Sequence, residues 1–164
     1  MISLDLSRQL KQAGLVWKPV LHDFFAIPDR GFDNMRFVIS DLHANIEQLL
    51  GSQVVAFQGA SEWALDYLVT SEAVWMPTET QLRQILQAHL ASEPQPAVRL
   101  ACEPALCRCT IQFKNQSFSF EHPGADQAYA QALLHILSEE PAMPDDSGGP
   151  GNPEDVWEQG LSGI

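Results

Sequence analysis

Bases are scarce in this chain. Nine lysines and arginines stand against 21 aspartates and glutamates in 164 residues, a formal charge of −12. That deficit excludes the basic stripe that nucleic-acid binding needs, and it makes an anionic membrane surface an unfavourable partner. Long apolar runs are also missing, and none approaches the roughly 18 residues of a membrane span. The opening Met1-Ile2-Ser3-Leu4-Asp5 lacks the basic region and apolar core of a signal peptide, so cytoplasmic residence is expected. Cysteines number three, Cys102, Cys107 and Cys109, and an odd count argues against a secreted disulfide framework. There is no Gly-rich phosphate loop, no Gly-x-Ser-x-Gly elbow, no nucleophile paired with a base and no internal repeat.

What is present suits a globular domain. Hydrophobic residues make up 45% of the chain and charged residues 18%, enough apolar content to build a core. The acids are unevenly spread. Glu139, Glu140, Asp145, Asp146, Glu154, Asp155 and Glu158 lie in a C-terminal stretch without a base, and 14 acids and nine bases remain before it. Residues 1–140 therefore read as one α+β domain and residues 141–164 as an acidic, Pro/Gly-rich tail, disordered or loosely docked, with Val156-Trp157 and Leu161 as its apolar anchors.

The strongest local signal lies in the middle. Thr78 follows Pro77, and Gln81 stands three residues on, the spacing of a capping box. Leu82, Ile85, Leu86, His89 and Leu90 then mark one face of a helical period, which Pro94 and Pro96 close. Ser61 to Val69 reads as a shorter helix capped by Ser61, with Trp63/Tyr67 and Ala64/Leu68 as i, i+4 pairs. Leu4 to Ala13 forms a third helix stopped by Gly14, and Ala125 to Leu137 a fourth, with Tyr129, Ala132, Leu133, Ile136 and Leu137 on one side. Between them lie β-branched and aromatic runs: Val16-Trp17, Phe24 to Ile27, Arg36 to Ile39, Ile46 to Leu50 paired with Val54 to Gln58 through Gly51-Ser52, and Ala73 to Met76. Ala97 to Cys102, Cys107 to Phe113 and Ser117 to Glu121 follow, with a hairpin break at Lys114-Asn115-Gln116. The expected architecture is an antiparallel sheet of about six to eight short strands packed against three to four helices.

Three sets of residues invite a chemical reading. Phe37-Val38-Ile39-Ser40-Asp41-Leu42-His43-Ala44-Asn45 resembles the first motif of calcineurin-type metallophosphoesterases. There a strand delivers an Asp and a His to a two-metal site that activates water. The resemblance implies Asp41 and His43 as metal ligands. It covers nine residues only, and the Gly-Asp, Gly-Asn-His and Gly-His-x-His motifs that complete such a site are absent from the chain. The plainer reading is a strand end and a turn. Cys102, Cys107, Cys109 and His122 contain zinc-ligating types, but one residue between Cys107 and Cys109 puts them on one face of a strand, where burial in the core is simpler. Trp17, Phe24, Phe25, Ile27, Trp63 and Trp75 could line a ligand pocket, although aromatics at such spacings usually belong to a core. The other histidines, His22, His89 and His135, are isolated.

Further segments stand out: Ala13-Gly14-Leu15-Val16-Trp17, Ile27-Pro28-Asp29-Arg30-Gly31, Phe37-Val38-Ile39-Ser40-Asp41, Phe57-Gln58-Gly59-Ala60-Ser61-Glu62-Trp63-Ala64-Leu65-Asp66, Val74-Trp75-Met76-Pro77-Thr78-Glu79 with Gln81-Leu82, and Tyr129 to Leu134. In these, over most of residues 10 to 137, the chain resembles a family of small bacterial proteins, some of which carry a pilus-assembly label. The likeness implies no activity and carries over no catalytic residue, and the nucleotide-binding motifs of a pilus-assembly ATPase are absent. The expectation is a non-enzymatic binding or accessory protein, without cofactor, metal, nucleic acid or membrane, partnered by another protein or by a second copy. The alternatives are a metal-dependent phosphoesterase or hydrolase using Asp41 and His43, and a small-ligand sensor.

Overall fold

The computed structural model describes residues 1–28, 32, 35–40, 44–49, 51–57 and 67–139. Asp41, His43, Trp63 and the tail 141–164 lie outside them. In chain order the elements are helix α1 (Leu4–Gln12), strands β1 (Phe24–Ala26), β2 (Phe37–Val38), β3 (Ala44–Leu49), β4 (Ser52–Phe57) and β5 (Tyr67–Val69), a 3₁₀ turn (Thr70–Glu72) and β6 (Val74–Trp75). Helix α2 (Glu79–Leu90), strands β7 (Ala97–Glu103), β8 (Leu106–Phe113) and β9 (Gln116–His122) and helix α3 (Ala125–Glu139) complete it. The α+β class is as expected. Among the described residues the strands divide into three antiparallel sheets of three, ordered β2-β1-β6, β3-β4-β5 and β7-β8-β9.

Two apolar clusters explain the layering. The larger one packs α1, α2 and α3 against one face of the β7-β8-β9 sheet, through Leu6, Leu10, Leu82, Leu86, Leu90, Ile111, Phe113, Leu133 and Ile136. Strand β8 shows the period-2 logic: Cys107, Cys109, Ile111 and Phe113 are buried while Arg108 is exposed. The smaller cluster joins Phe25, Ile27, Ile39, Val55, Leu68 and Ala73. Strand β1 stands between the two. Phe25 faces the smaller cluster while Phe24 and Ala26 face the larger, so an uninterrupted apolar run is what the position requires.

Local signals account for several joints. Thr78 and Gln81 form the capping box: Gln81 N donates to Thr78 Oγ1 at 3.3 Å, and Thr78 N donates to Gln81 Oε1 at 2.9 Å. Gly14, at φ +96°, ends α1 in the left-handed region. Leu15 N then donates to Leu10 O and Gly14 N to Lys11 O, the hydrogen-bond pattern of a Schellman motif. In the β8–β9 hairpin Lys114 and Asn115 both have positive φ, 50° and 61°, which defines the turn as type I′ without a glycine. Lys114 is anchored there: its backbone N–H donates to Glu93 and its ammonium to the carbonyl of Glu139.

Three expectations need correction. Residues 67–69 belong to a strand, not to a helix running from Ser61. Leu68 is fully buried opposite Val55, so cross-strand burial overrides an i, i+4 pattern whose other members lie outside the described residues. Val16-Trp17 is irregular chain rather than strand. Finally, Cys102 and Cys107 are joined in a disulfide and only Cys109 is free. The register of β7 and β8 sets these two cysteines directly opposite one another, a pairing that an odd count conceals.

Candidate binding groove

The chain leaving α1 builds one wall of a surface groove. The Schellman turn directs Leu15 back onto the helical core, which pushes Val16 outward to 73% exposure. Trp17 turns inward, its ring 5.6 Å from that of Phe25. Two depressions, of about 210 and 370 Å³, share Leu15, Val16 and Trp75 as common lining. The first is completed by Ser7, Lys11, Trp17, Thr70, Ser71 and Ala73, the second by Gly14, Lys18, Ile85, His89 and Leu137. A more open depression of about 650 Å³ beside α2 and β7 has no aromatic lining and makes a weaker candidate.

Two polar anchors hold this wall. Lys11 Nζ donates to the carbonyls of Ser71 and Ala73, tying α1 to the 3₁₀ turn and β6. Partial burial pulls its ammonium below the ordinary lysine pKa. Asp23, 1% exposed, is the second anchor. Its Oδ2 accepts from Trp17 Nε1 at 2.8 Å and from Val20 N at 3.0 Å, and its Oδ1 accepts from Gln81 Nε2 at 2.6 Å. A buried carboxylate costs little once such donors surround it. One side chain thus locks the Trp17 ring to the start of α2. Trp75 is different: its Nε1 is buried and finds no acceptor among the described residues.

The groove is inverted in charge relative to the chain. Its ionisable lining consists of Lys11, Lys18 and His89, and no carboxylate contributes among the described residues, whereas the whole protein carries −12.

Of the residues singled out from sequence, Trp17 and Trp75 meet here, while Phe24, Phe25 and Ile27 lie in the two cores. Asp41 and His43 lie outside the described residues. No cluster of three or more His, Cys, Asp or Glu suited to a metal exists among the described residues. Cys102 and Cys107 are engaged with each other, and Cys109 is fully buried, its thiol pushed up to about 11 by desolvation. Asp23 and Lys11 belong to no motif, and Val16 stands only in the segment Ala13 to Trp17 and in a run read as strand. The only sequence hint is an acid immediately before the apolar run Phe24 to Ile27, and that pattern is common at strand starts. No helix among the described residues is long and apolar enough to cross a membrane. Compared with family models, with curated proteins and with solved structures, the chain matches none.

Proposed function

We propose that this chain is a non-enzymatic binding protein, and that its groove takes an acidic protein segment presenting one apolar or aromatic side chain. The observation that carries this reading is the joining of an apolar wall, exposed Val16 with the half-buried Leu15, Trp17 and Trp75, to the lysines Lys11 and Lys18 on an otherwise acidic chain. Large rigid aromatics supply contact area at low entropic cost, and a basic rim steers carboxylates and repels basic competitors. Lys11 and Asp23 hold the walls in place before any partner arrives, which reduces the ordering cost of association.

Fluorescence anisotropy with labelled synthetic peptides tests this. An acidic peptide with a central tryptophan should bind, and binding should weaken as salt is raised. The same peptide with lysines replacing its acids should not bind. Val16→Asp places a like charge on an exposed position, so it should weaken binding about tenfold or more while leaving the melting temperature unchanged. Equal binding of acidic and basic peptides, or indifference to Val16→Asp, would refute the reading. A rise in melting temperature with a small metabolite alone would favour a ligand sensor instead.

A further inference from the structure

The β7-β8-β9 sheet carries a row of reactive side chains, none of which lines the groove. Cys102 pairs in register with Cys107, and Cys107 pairs with His122, so the three form one line across all three strands. Directly opposed residues share a face, with Cβ atoms about 5 Å apart. The two sulfurs differ in access. Cys102 lies on the edge strand and is exposed, whereas Cys107 lies on the central strand at 8% exposure. His122 Nδ1 accepts from Gly124 N at 3.0 Å, so the neutral ring carries its proton on Nε2.

As a staple the bond is poorly placed. The cysteines are five residues apart in sequence, around the Pro104-Ala105 turn, on strands already paired over seven positions. A loop that short is where a cross-link restricts the unfolded chain least. A stabilising role therefore explains little of its presence, and the exposed sulfur on an edge strand is its distinguishing feature.

We infer that Cys102–Cys107 is a thiol–disulfide exchange site for small monothiols, with Cys102 the sulfur that is attacked and Cys107 the one that leaves. A thiolate RS⁻ attacks Cys102 Sγ and forms Cys102–S–SR. The Cys102–Cys107 bond breaks and its electron pair goes to Cys107 Sγ, which then takes a proton from water; His122 stands directly across the register from it. A second thiolate attacks the mixed disulfide on its outer sulfur, releasing RSSR and the Cys102 thiolate. Two thiols are oxidised to one disulfide and the protein is reduced by two electrons. Cys109, two residues along on the same face, is fully buried and takes no part.

The test uses the oxidised full-length chain and glutathione as the monothiol probe, with acid quench, alkylation of free thiols and mass analysis of the intact protein and its peptides. The expected intermediate carries one glutathione on Cys102, with Cys107 alkylated. Cys107→Ser treated with oxidised glutathione should accumulate the adduct on Cys102. Cys102→Ser should leave Cys107 at least about tenfold slower to react, because the thiol is covered. Exchange should proceed at the same rate with and without mild urea. Adducts first appearing on Cys107 or Cys109, or reduction that keeps pace only with global unfolding, would overturn the proposal. If neither variant folds, the order of labelling in the wild-type chain decides between the same two outcomes.

Discussion

Gln81→Glu sets the local rule for a helix start against a tertiary contact. By the capping-box rule glutamate at this position serves as well as glutamine, and a negative charge in the first turn of α2 adds about 0.3–1 kcal/mol. In the fold, however, Gln81 Nε2 donates to the buried Asp23 Oδ1 across 2.6 Å. The substitution replaces that donor with a second carboxylate. The lost charge-assisted bond is worth about 1.5–3 kcal/mol. Two carboxylates with charge centres about 4 Å apart repel by about 4 kcal/mol at an effective dielectric of 20. Protonating one of them sets a ceiling: at pH 7 that costs about 4 kcal/mol for a carboxyl of ordinary pKa near 4, and it restores an O–H···O bond across the gap. The expected net loss at pH 7 is on the order of 3–4 kcal/mol, opposite in sign to the helix rule. Since the pair holds a proton more tightly folded than unfolded, the deficit shrinks as pH falls and grows as pH rises. Urea unfolding followed by circular dichroism at pH 5 and pH 7.5 measures both. Combining Gln81→Glu with Asp23→Asn supplies an amide donor to the new carboxylate, leaves the Asn oxygen facing Trp17 and Val20, and should recover at least half the loss. A Gln81→Glu protein as stable as wild type at pH 7, or a double variant worse than the sum of its singles, would refute this reading of the contact.

Two further outcomes follow from buried groups. Cys109 holds its proton up to about 11 in the fold, against 9.0 ordinarily, because burial disfavours the thiolate. Its contribution is whole below pH 9 and is lost as pH rises toward 11, by a total of about 2–3 kcal/mol. Cys109→Val should therefore show a shallower fall in urea midpoint between pH 8.5 and 10.5 than wild type; burial also raises the Tyr129 hydroxyl, so some decline should remain. Parallel curves would show that the Cys109 thiol is not responsible. His135 Nε2 is buried without a partner among the described residues, and its ring lies 4.3 Å from Phe118 and 5.6 Å from Phe120, centroid to centroid. An unpaired buried polar nitrogen costs about 1–3 kcal/mol and the ring contacts return part of that. His135→Leu should thus gain about 1 kcal/mol in thermal or chemical unfolding, and a loss of similar size would mean that the nitrogen has a partner after all.

Much of the fold was readable because its signals are short in range. The Thr78–Gln81 box, the Gly14 stop and the apolar stripes of α2 and α3 involve residues within a turn of one another, and the period-2 pattern of β8 needs only its own side chains. Tyr67 to Val69 misled because a three-residue strand shows no period of its own. Its state is decided by Val55 across the sheet, not by its neighbours in the chain. The groove was half visible: Trp17 and Trp75 were noted as aromatics, but core and pocket residues share one composition, and only the exit angle of the chain after Gly14 separates them.

The amino-acid pattern by itself determined the class: α+β, acidic, with helices begun and ended by nearby caps, since those choices are made within a few residues. The tertiary structure decided the rest. It made Asp23 a buried acceptor for Trp17 and Gln81, joined Cys102 to Cys107 and gathered Lys11, Lys18 and His89 beside two tryptophans. Each of these depends on which distant segments share a register or a packed face, and no window of sequence contains that distance.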